Sequence, residues 1–370
     1  MAGRVRQPID IKALEQYLNQ HVPEIKTPLD VKQFGFGQSN PTYQLTSADQ
    51  KRYVLRKKPP GNLLSKTAHK VEREYRIIAA LGPLDVPVPK AYCLCEDASI
   101  VGTPFYIMEF LDGRIFEDLS VPDVPAEERT RLWRAAVQTL ARFHSVDFEK
   151  AGLASFGQHH GFYDRQLATW KQICIAQSRA VDVDTKSPVG QIPHFDDLLA
   201  FFADKARQPR DRATLVHGDY KLDNMVFHKT EARVIGMLDW EMSTIGHPLS
   251  DLGNLLMPFF SQDASRSYNP KVDAFLPGAT PGLPTPDMVL EWYEEAAGWD
   301  PKPDMRWAMA FAVFRLAAIT QGIAARYATR QASSAEAQKY AVAFIPLGEL
   351  AWSLVEQEMM KAKSTKAAKL

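Results

Sequence analysis

The chain has 370 residues, more than one small core needs, which favours two domains or two lobes sharing a cleft. Hydrophobic residues make up 45% and charged residues 24%, with 20 Gly and 25 Pro, so collagen-like and low-complexity chains are excluded. Lys plus Arg and Asp plus Glu are each 44, which argues against a long nucleic-acid track and leaves any anionic ligand to local charge.

In chain order, residues 1–10 read as frayed. Asp10 is a natural N-cap for a helix through Leu18, with Leu14 and Leu18 on one face. VKQFGFG alternates like a strand and ends in glycines. TYQLTS and KRYVLRK are two more strands around the polar turn SADQ. Residues 69–81 read as a helix with an apolar stripe of Val71, Ile77, Ile78 and Leu81, stopped by Gly82-Pro83. AYCLCE and TPFYIMEF follow as strands. The pattern predicts a small antiparallel lobe of five strands and one main helix over residues 1–110.

Residues 127–146 form a strong amphipathic helix with Leu132, Ala136, Leu140 and Phe143 on one side. Residues 161–180 and 195–207 read as helices, and short strands are expected at 214–216, 225–227 and 234–239. From Asp251 the chain is mostly helical, interrupted by PGATPGLPTP. This predicts a larger helical lobe over 111–360 and a disordered tail at 361–370. The apolar stretch 307–319 contains Arg315 and is too short to span a bilayer, so no membrane segment is expected. The first ten residues lack the apolar run of a secretory leader. Cys93, Cys95 and Cys174 are too few for a disulfide framework and have no zinc spacing, so buried thiols in a reducing compartment are expected.

The segment Val216-His217-Gly218-Asp219-Tyr220-Lys221-Leu222-Asp223-Asn224 is a polar loop wedged between the apolar runs TLV and MVF. So many ionisable groups are costly there unless they have partners. Asp239, Trp240 and Glu241 end a later apolar strand. An Asp, an Asn five residues on, and a second Asp after a β-hairpin can converge on one point. Asn and Asp oxygens are hard ligands suited to Mg²⁺, which keeps waters and substrate phosphates as well. The first Asp is then free to orient a hydroxyl and take its proton, the division of labour in kinase-type phosphoryl transfer.

HGDYKLDN, then IGMLDWE, then GHPLSDLGNL together resemble the aminoglycoside phosphotransferase-like (APH) kinase family, over roughly residues 30–355. The resemblance implies an α+β, bilobal protein-kinase-like fold: a small antiparallel-sheet N-lobe and a larger, mostly helical C-lobe. It implies an ATP- and Mg²⁺-dependent kinase acting on a small hydroxylated substrate. Asp219 would be the catalytic base and Lys221 the loop lysine that neutralises the transferred phosphoryl. Asn224 and Asp239 would be the metal ligands, with Glu241 either a water-mediated contact or structural. His217 would order the loop and Asp251 brace it. Gly35, Gly37 and Ser39 fall where a phosphate-covering loop belongs. Arg56 stands at the usual lysine position, with Lys58 on the same face as the alternative base. Glu74 has the spacing of the helix carboxylate that pairs with that base, with Glu72 as the alternative. Glu109 and Leu111 fall at the lobe connector where an adenine would bind backbone groups.

A narrower resemblance is carried by YVLRKKPPG with VEREYRII, and by FRLAAITQGIAARYATRQASS. These look like the kinase domain fused to acyl-CoA dehydrogenases in animals. That implies a hydroxyacyl-CoA acceptor and an acyl-CoA dehydrogenase-type enzyme as partner. The insertion 155–212, with eight Lys or Arg and seven Asp or Glu, does not suggest a polycation site. Arg315, Arg326 and Arg330 can share a helix face and meet a CoA phosphate. Aminoglycoside, choline and sugar kinases, and a non-catalytic nucleotide-binding pseudokinase, remain as alternatives. The expected compartment is the cytoplasm, or the peroxisome of a eukaryote through Ala368-Lys369-Leu370.

Overall fold

The computed structural model describes residues 2–35, 40–60, 70–332 and 337–367. The chain divides into two compact units: residues 1–116, 147–154 and 223–243 in the first, and 117–146, 155–222 and 244–370 in the second.

The first unit is built on a six-stranded sheet. Its strands are β1 (Ala2–Gly3), β2 (Asp30–Phe34), β3 (Thr42–Thr46), β4 (Arg52–Lys57), β5 (Ala91–Cys95) and β6 (Phe105–Glu109), in the order β1-β2-β3-β4-β6-β5. Every pairing is antiparallel. The extra strand corrects the expectation of a frayed N-terminus: Ala2 pairs with Phe34, and the Gln33 side chain accepts from the backbone N–H groups of Arg6 and Gln7. Helix α1 (Ile11–His21) starts at Asp10, whose carboxylate accepts from the Ala13 N–H. It lays Leu14 and Leu18 on one face of the sheet, against Tyr43, Leu45, Tyr53, Leu55 and Phe105. Helix α2 (Val71–Leu81) packs against β5 and β6. A short helix α3 (Ala98–Val101) joins those two strands. Alternation in β4 therefore decides chemistry, since Tyr53 and Leu55 enter the α1 core and Arg56 does not.

In the second unit, α4 (Ala126–His144) buries Leu132, Trp133, Ala136, Val137, Leu140 and Phe143, spaced as one helical face requires. Helices α5 (Phe162–Ser178) and α6 (Phe195–Ala203) follow, then strand β7 (Thr214–Val216). Strands β8 (Met225–Phe227) and β9 (Val234–Met237) form a hairpin that belongs to the first unit. There, the backbones of Arg114 and Phe227 exchange two hydrogen bonds of 2.8 Å. Strand β10 (Thr244–Gly246) returns to the second unit and pairs with β7. The remaining helices are α7 (Leu249–Leu256), α8 (Gln262–Ser265), α9 (Pro286–Ala297), α10 (Lys302–Ala328), α11 (Ala337–Tyr340) and α12 (Phe344–Ala367).

Two expectations from the sequence are corrected here. The apolar stretch 307–319 is the middle of the 27-residue α10, which is long and apolar enough by composition to cross a membrane. It is mostly buried within the second unit, against α5, α7 and α12, as a helix apolar on most sides must be. The stretch expected to be disordered is helical as far as Ala367, since Lys and Ala favour helix. Residues 368–370, the terminal Ala-Lys-Leu, lie outside the described residues. The three cysteines are free, and burial pushes the Cys93 and Cys174 thiols up to about 12.

Candidate active site

In the first unit, Arg56 is buried amid acid. Its Nε lies 3.1 Å from Glu74 Oε2, and its Nη2 lies 3.0 Å from Asp239 Oδ1 and 3.6 Å from Glu241 Oε2. Glu74 also accepts hydrogen bonds from Asn40 Nδ2 at 2.8 Å and from the Tyr106 hydroxyl at 3.1 Å. Lys58 instead pairs with Glu72 at 2.9 Å, nearer the surface. The geometry thus separates the two bases and the two carboxylates left open by the sequence.

One guanidinium faces three carboxylates. Burial opposes the charge on Arg56, but Glu74, Tyr106, Asp239 and Glu241 outweigh it and hold the side chain firmly protonated. Burial pushes the Glu74 carboxyl up to about 7 against the pull of Arg56, and the charges of Asp239 and Glu241 push the same way.

The β8–β9 hairpin explains how Asn224 and Asp239 come together. Met225 pairs with Met237, and the Leu238 N–H donates to the Asn224 carbonyl at 2.8 Å, so both residues leave the hairpin at the same end. Asp239 has φ +65°, the left-handed region that non-glycine residues enter at a cost. The turn is held by buried Trp240, whose indole N–H donates to Met237 O at 3.0 Å. Arg73 Nη2 of α2 donates to Ser243 O at 3.2 Å. Among the described residues, no three His, Cys, Asp or Glu side chains are grouped to hold a metal ion by themselves. Mg²⁺ takes one or two carboxylates and fills its remaining positions with water and phosphate. Hard oxygen donors and surplus negative charge fit such an ion with its nucleotide.

Of the phosphate-loop residues, Gly35 closes β2, and its carbonyl accepts from Arg6 Nη2 at 3.5 Å. Gly37 and Ser39 lie outside the described residues. Glu109 ends β6, paired with Tyr53 of β4, and its N–H donates to Lys90 O at 2.8 Å. The Leu111 side chain covers Gly236 so closely that a Cβ there has no room.

The second unit carries the loop 217–222. Gly218 has φ +88°, which is why the middle residue of His-Gly-Asp is glycine. Buried Asp251 of α7 accepts from the backbone N–H groups of His217 (2.7 Å) and Gly218 (2.8 Å), and its Oδ2 also lies 3.1 Å from His144 Nε2. His144 Nδ1 lies 2.8 Å from the Tyr293 hydroxyl. Burial alone would raise the Asp251 carboxyl; His144 and the loop amides outweigh it and hold it below the usual carboxylate range. Asn254 donates to Gly218 O at 2.9 Å and is itself held by the Arg315 guanidinium. With its backbone so fixed, Asp219 points a half-exposed carboxylate outward, 3.4 Å from Lys221 Nζ.

The model for the phosphotransferase enzyme family, APH, matches residues 30–285. This chain belongs to that family. It is similar to acyl-CoA dehydrogenase family member 11 of Rattus norvegicus, 41% identical over 345 residues that make up 92% of this chain and 42% of the relative. The chain thus spans less than half the length of that relative. A crystal structure from Ralstonia eutropha, provisionally assigned as an aminoglycoside phosphotransferase, is 36% identical with a TM-score of 0.81, over 95% of this chain and 99% of that one. The ADP-bound aminoglycoside phosphotransferase APH(2'')-Ib shares the fold, at 16% identity and a TM-score of 0.58, over 92% and 99%. The protein is therefore a phosphotransferase with the kinase-like fold, an antiparallel sheet unit and a helical unit.

Several residues that shape this phosphotransferase escaped the sequence reading. Asn40 and Tyr106 on Glu74, and His144, Tyr293 and Asn254 behind the loop, reach their partners across 32 to 149 residues. A lone His on an amphipathic helix carries no signal of that kind. Arg315, expected to face a CoA phosphate, is a correction: it is half-buried and committed to Asn254 and Ser250. Arg330 is paired with Asp184. The three arginines do not form a basic mouth, because Arg315 is taken up by Ser250 and Asn254 of α7 and Arg330 by Asp184.

His247, in the GHPLSD segment, has a consequence for pH. Its Nε2 donates to Arg210 O at 3.2 Å and its Nδ1 accepts from the Leu249 N–H at 3.2 Å, which fixes the neutral tautomer. Burial pulls the imidazole down to about 4, outweighing the Arg210 carbonyl. Between pH 6.5 and 4 the unfolded chain takes up a proton that the folded one refuses. Stability is therefore full above pH 6.5 and falls as pH drops, by on the order of 3 kcal/mol at pH 4. Thermal melts from pH 7.5 to 4.5 should show this fall in the wild type and a shallower one in His247→Gln. Parallel profiles would remove His247 as the cause.

Proposed function

We propose that this chain transfers the γ-phosphoryl group of ATP, with Mg²⁺, to a hydroxyl on an acyl-CoA. Asp219 accepts the proton of the acceptor hydroxyl as oxygen attacks phosphorus, and Lys221 neutralises charge on the transferred group. Arg56, braced by Glu74, meets the nucleotide phosphates. Asn224 and Asp239 would hold Mg²⁺, which would neutralise phosphate charge when bound. The observation that carries the acceptor is the identity of 41% with a protein named for acyl-CoA dehydrogenation. A phosphorylated acyl-CoA would then need an acyl-CoA dehydrogenase-type partner to consume it.

The Ralstonia structure favours a second acceptor, an aminoglycoside. An aminoglycoside is a polycation and needs surplus acid, whereas segment 155–212 has eight basic and seven acidic residues. An ATP-consumption screen with 4-hydroxyacyl-CoA, kanamycin, choline and homoserine tests the choice. Turnover is expected with 4-hydroxyacyl-CoA alone. Turnover on kanamycin with none on the acyl-CoA would overturn the acceptor and leave the phosphotransferase standing.

A further inference from the structure

The second unit contains a cavity of about 470 Å³ lined by Arg210, Asp211, Arg212, Trp299 and Asp304, none of which the chemistry above uses. Its volume suits a small-molecule ligand. The Arg212 guanidinium lies over the Trp299 ring, 4.5 Å from its centroid, so a planar cation covers one face of the indole. Among the described residues, neither Arg210 nor Arg212 has a carboxylate within ion-pair distance. The Asp211 carboxylate accepts from the Gly161 N–H at 2.7 Å and lies 3.8 Å from His160 Nδ1.

The walls are fixed from behind. His247 holds the Arg210 carbonyl at 3.2 Å, and its ring lies 6.0 Å from that of Trp299, which also packs edge-on to Tyr293 at 6.2 Å. An indole with a planar cation over it, two guanidinium groups that lack a carboxylate partner among the described residues, and the carboxyls of Asp211 and Asp304 suit a ligand that is both aromatic and anionic. The indole and Arg212 can stack on a base, the arginines can bind phosphate with charge-assisted bonds, and the Asp304 carboxyl can accept from an exocyclic amine.

We propose that this cavity binds the phosphorylated adenine nucleotide of coenzyme A and so anchors the acyl-CoA acceptor. The assignment rests on the acceptor reading given above. Its position agrees: Arg212 precedes Asp219 by seven residues, through β7, which span at most about 24 Å. Coenzyme A joins its nucleotide to its thioester by a long flexible arm, so the anchor and the reacting hydroxyl need not be neighbours. ATP presents the same adenine-phosphate chemistry, and the experiment separates the two.

Calorimetry on the full chain would compare CoA, 3′-dephospho-CoA and Mg-ATP as ligands of wild type, Arg210→Ala/Arg212→Ala and Trp299→Ala. Both arginines are exposed, so the double variant should fold, and circular dichroism checks it. Expected are CoA binding weakened at least about tenfold in the double variant, weaker binding of 3′-dephospho-CoA by wild type, and unchanged Mg-ATP binding. Equal CoA affinity in wild type and double variant would overturn the assignment, as would loss of Mg-ATP binding in place of CoA. Should 4-hydroxyacyl-CoA prove no substrate while CoA binding still depends on the two arginines, the acceptor reading falls and the cavity stands. Phosphorylation of 4-hydroxyacyl-CoA with unchanged KM in the double variant would sink the cavity and leave the acceptor.

Discussion

Asp219→Ala is expected to bind ATP almost as wild type does and to lose at least about a thousandfold in kcat, near the upper range for removing a general base. The separation of the two effects follows from where Asp219 sits. Its carboxylate is half-exposed, while the hydrogen bonds that order its loop come from backbone groups and from Asp251. Truncating the side chain therefore leaves the loop amides satisfied. The groups assigned to nucleotide and metal, Arg56, Glu74, Asn224 and Asp239, belong to the other unit. ATP titration followed by single-turnover assays makes the comparison. Equal turnover in variant and wild type would show that the base is misassigned; a wild type that binds ATP without consuming it would point to a pseudokinase.

Asp251→Ala should act on the fold as well as on the rate. The carboxylate is fully buried and serves three partners, the N–H groups of His217 and Gly218 and the His144 imidazole. Removing it leaves buried donors with nothing to bind, a loss of roughly 3–5 kcal/mol by the measure of broken buried polar networks. The released loop should also misplace Asp219 and lower kcat. Asp251→Asn keeps the shape and one acceptor oxygen, so its loss of stability should be smaller. Because the folded carboxyl is held below its unfolded value, its contribution is present above pH 4 and lost as pH falls further. Urea melts at pH 7 and at about pH 3 measure both points. A loss under about 1 kcal/mol for the alanine variant would mean the network is not what orders the loop.

How much was legible in advance depended on the distance over which each feature is decided. Asp10 capping α1 and the stripe on α4 are local: a few neighbouring residues fix their backbone, and the residue pattern shows it. The His-Gly-Asp loop and the later Asp-Trp-Glu were readable because phosphoryl transfer needs those residue types at that spacing. What failed was long-range. The pairing of Ala2 with Phe34 crosses 32 residues, and nothing in MAGRVRQPID announces an edge strand. Arg315 read as a ligand for a CoA phosphate, whereas its partners on α7 are more than 60 residues earlier.

The sequence by itself therefore determined the family, the order of elements and the residues able to carry the chemistry. Tertiary structure alone decided which of two bases and which of two carboxylates form the buried pair. Alternation in β4 put Arg56 and Lys58 on one face, and only the docking of α2 brought Glu74 to Arg56 and left Glu72 to Lys58. It likewise turned an apparent ligand arginine, Arg315, into the support of Asn254. A charged side chain tolerates burial only where partners converge on it, and that convergence is set by packing between segments distant in the chain.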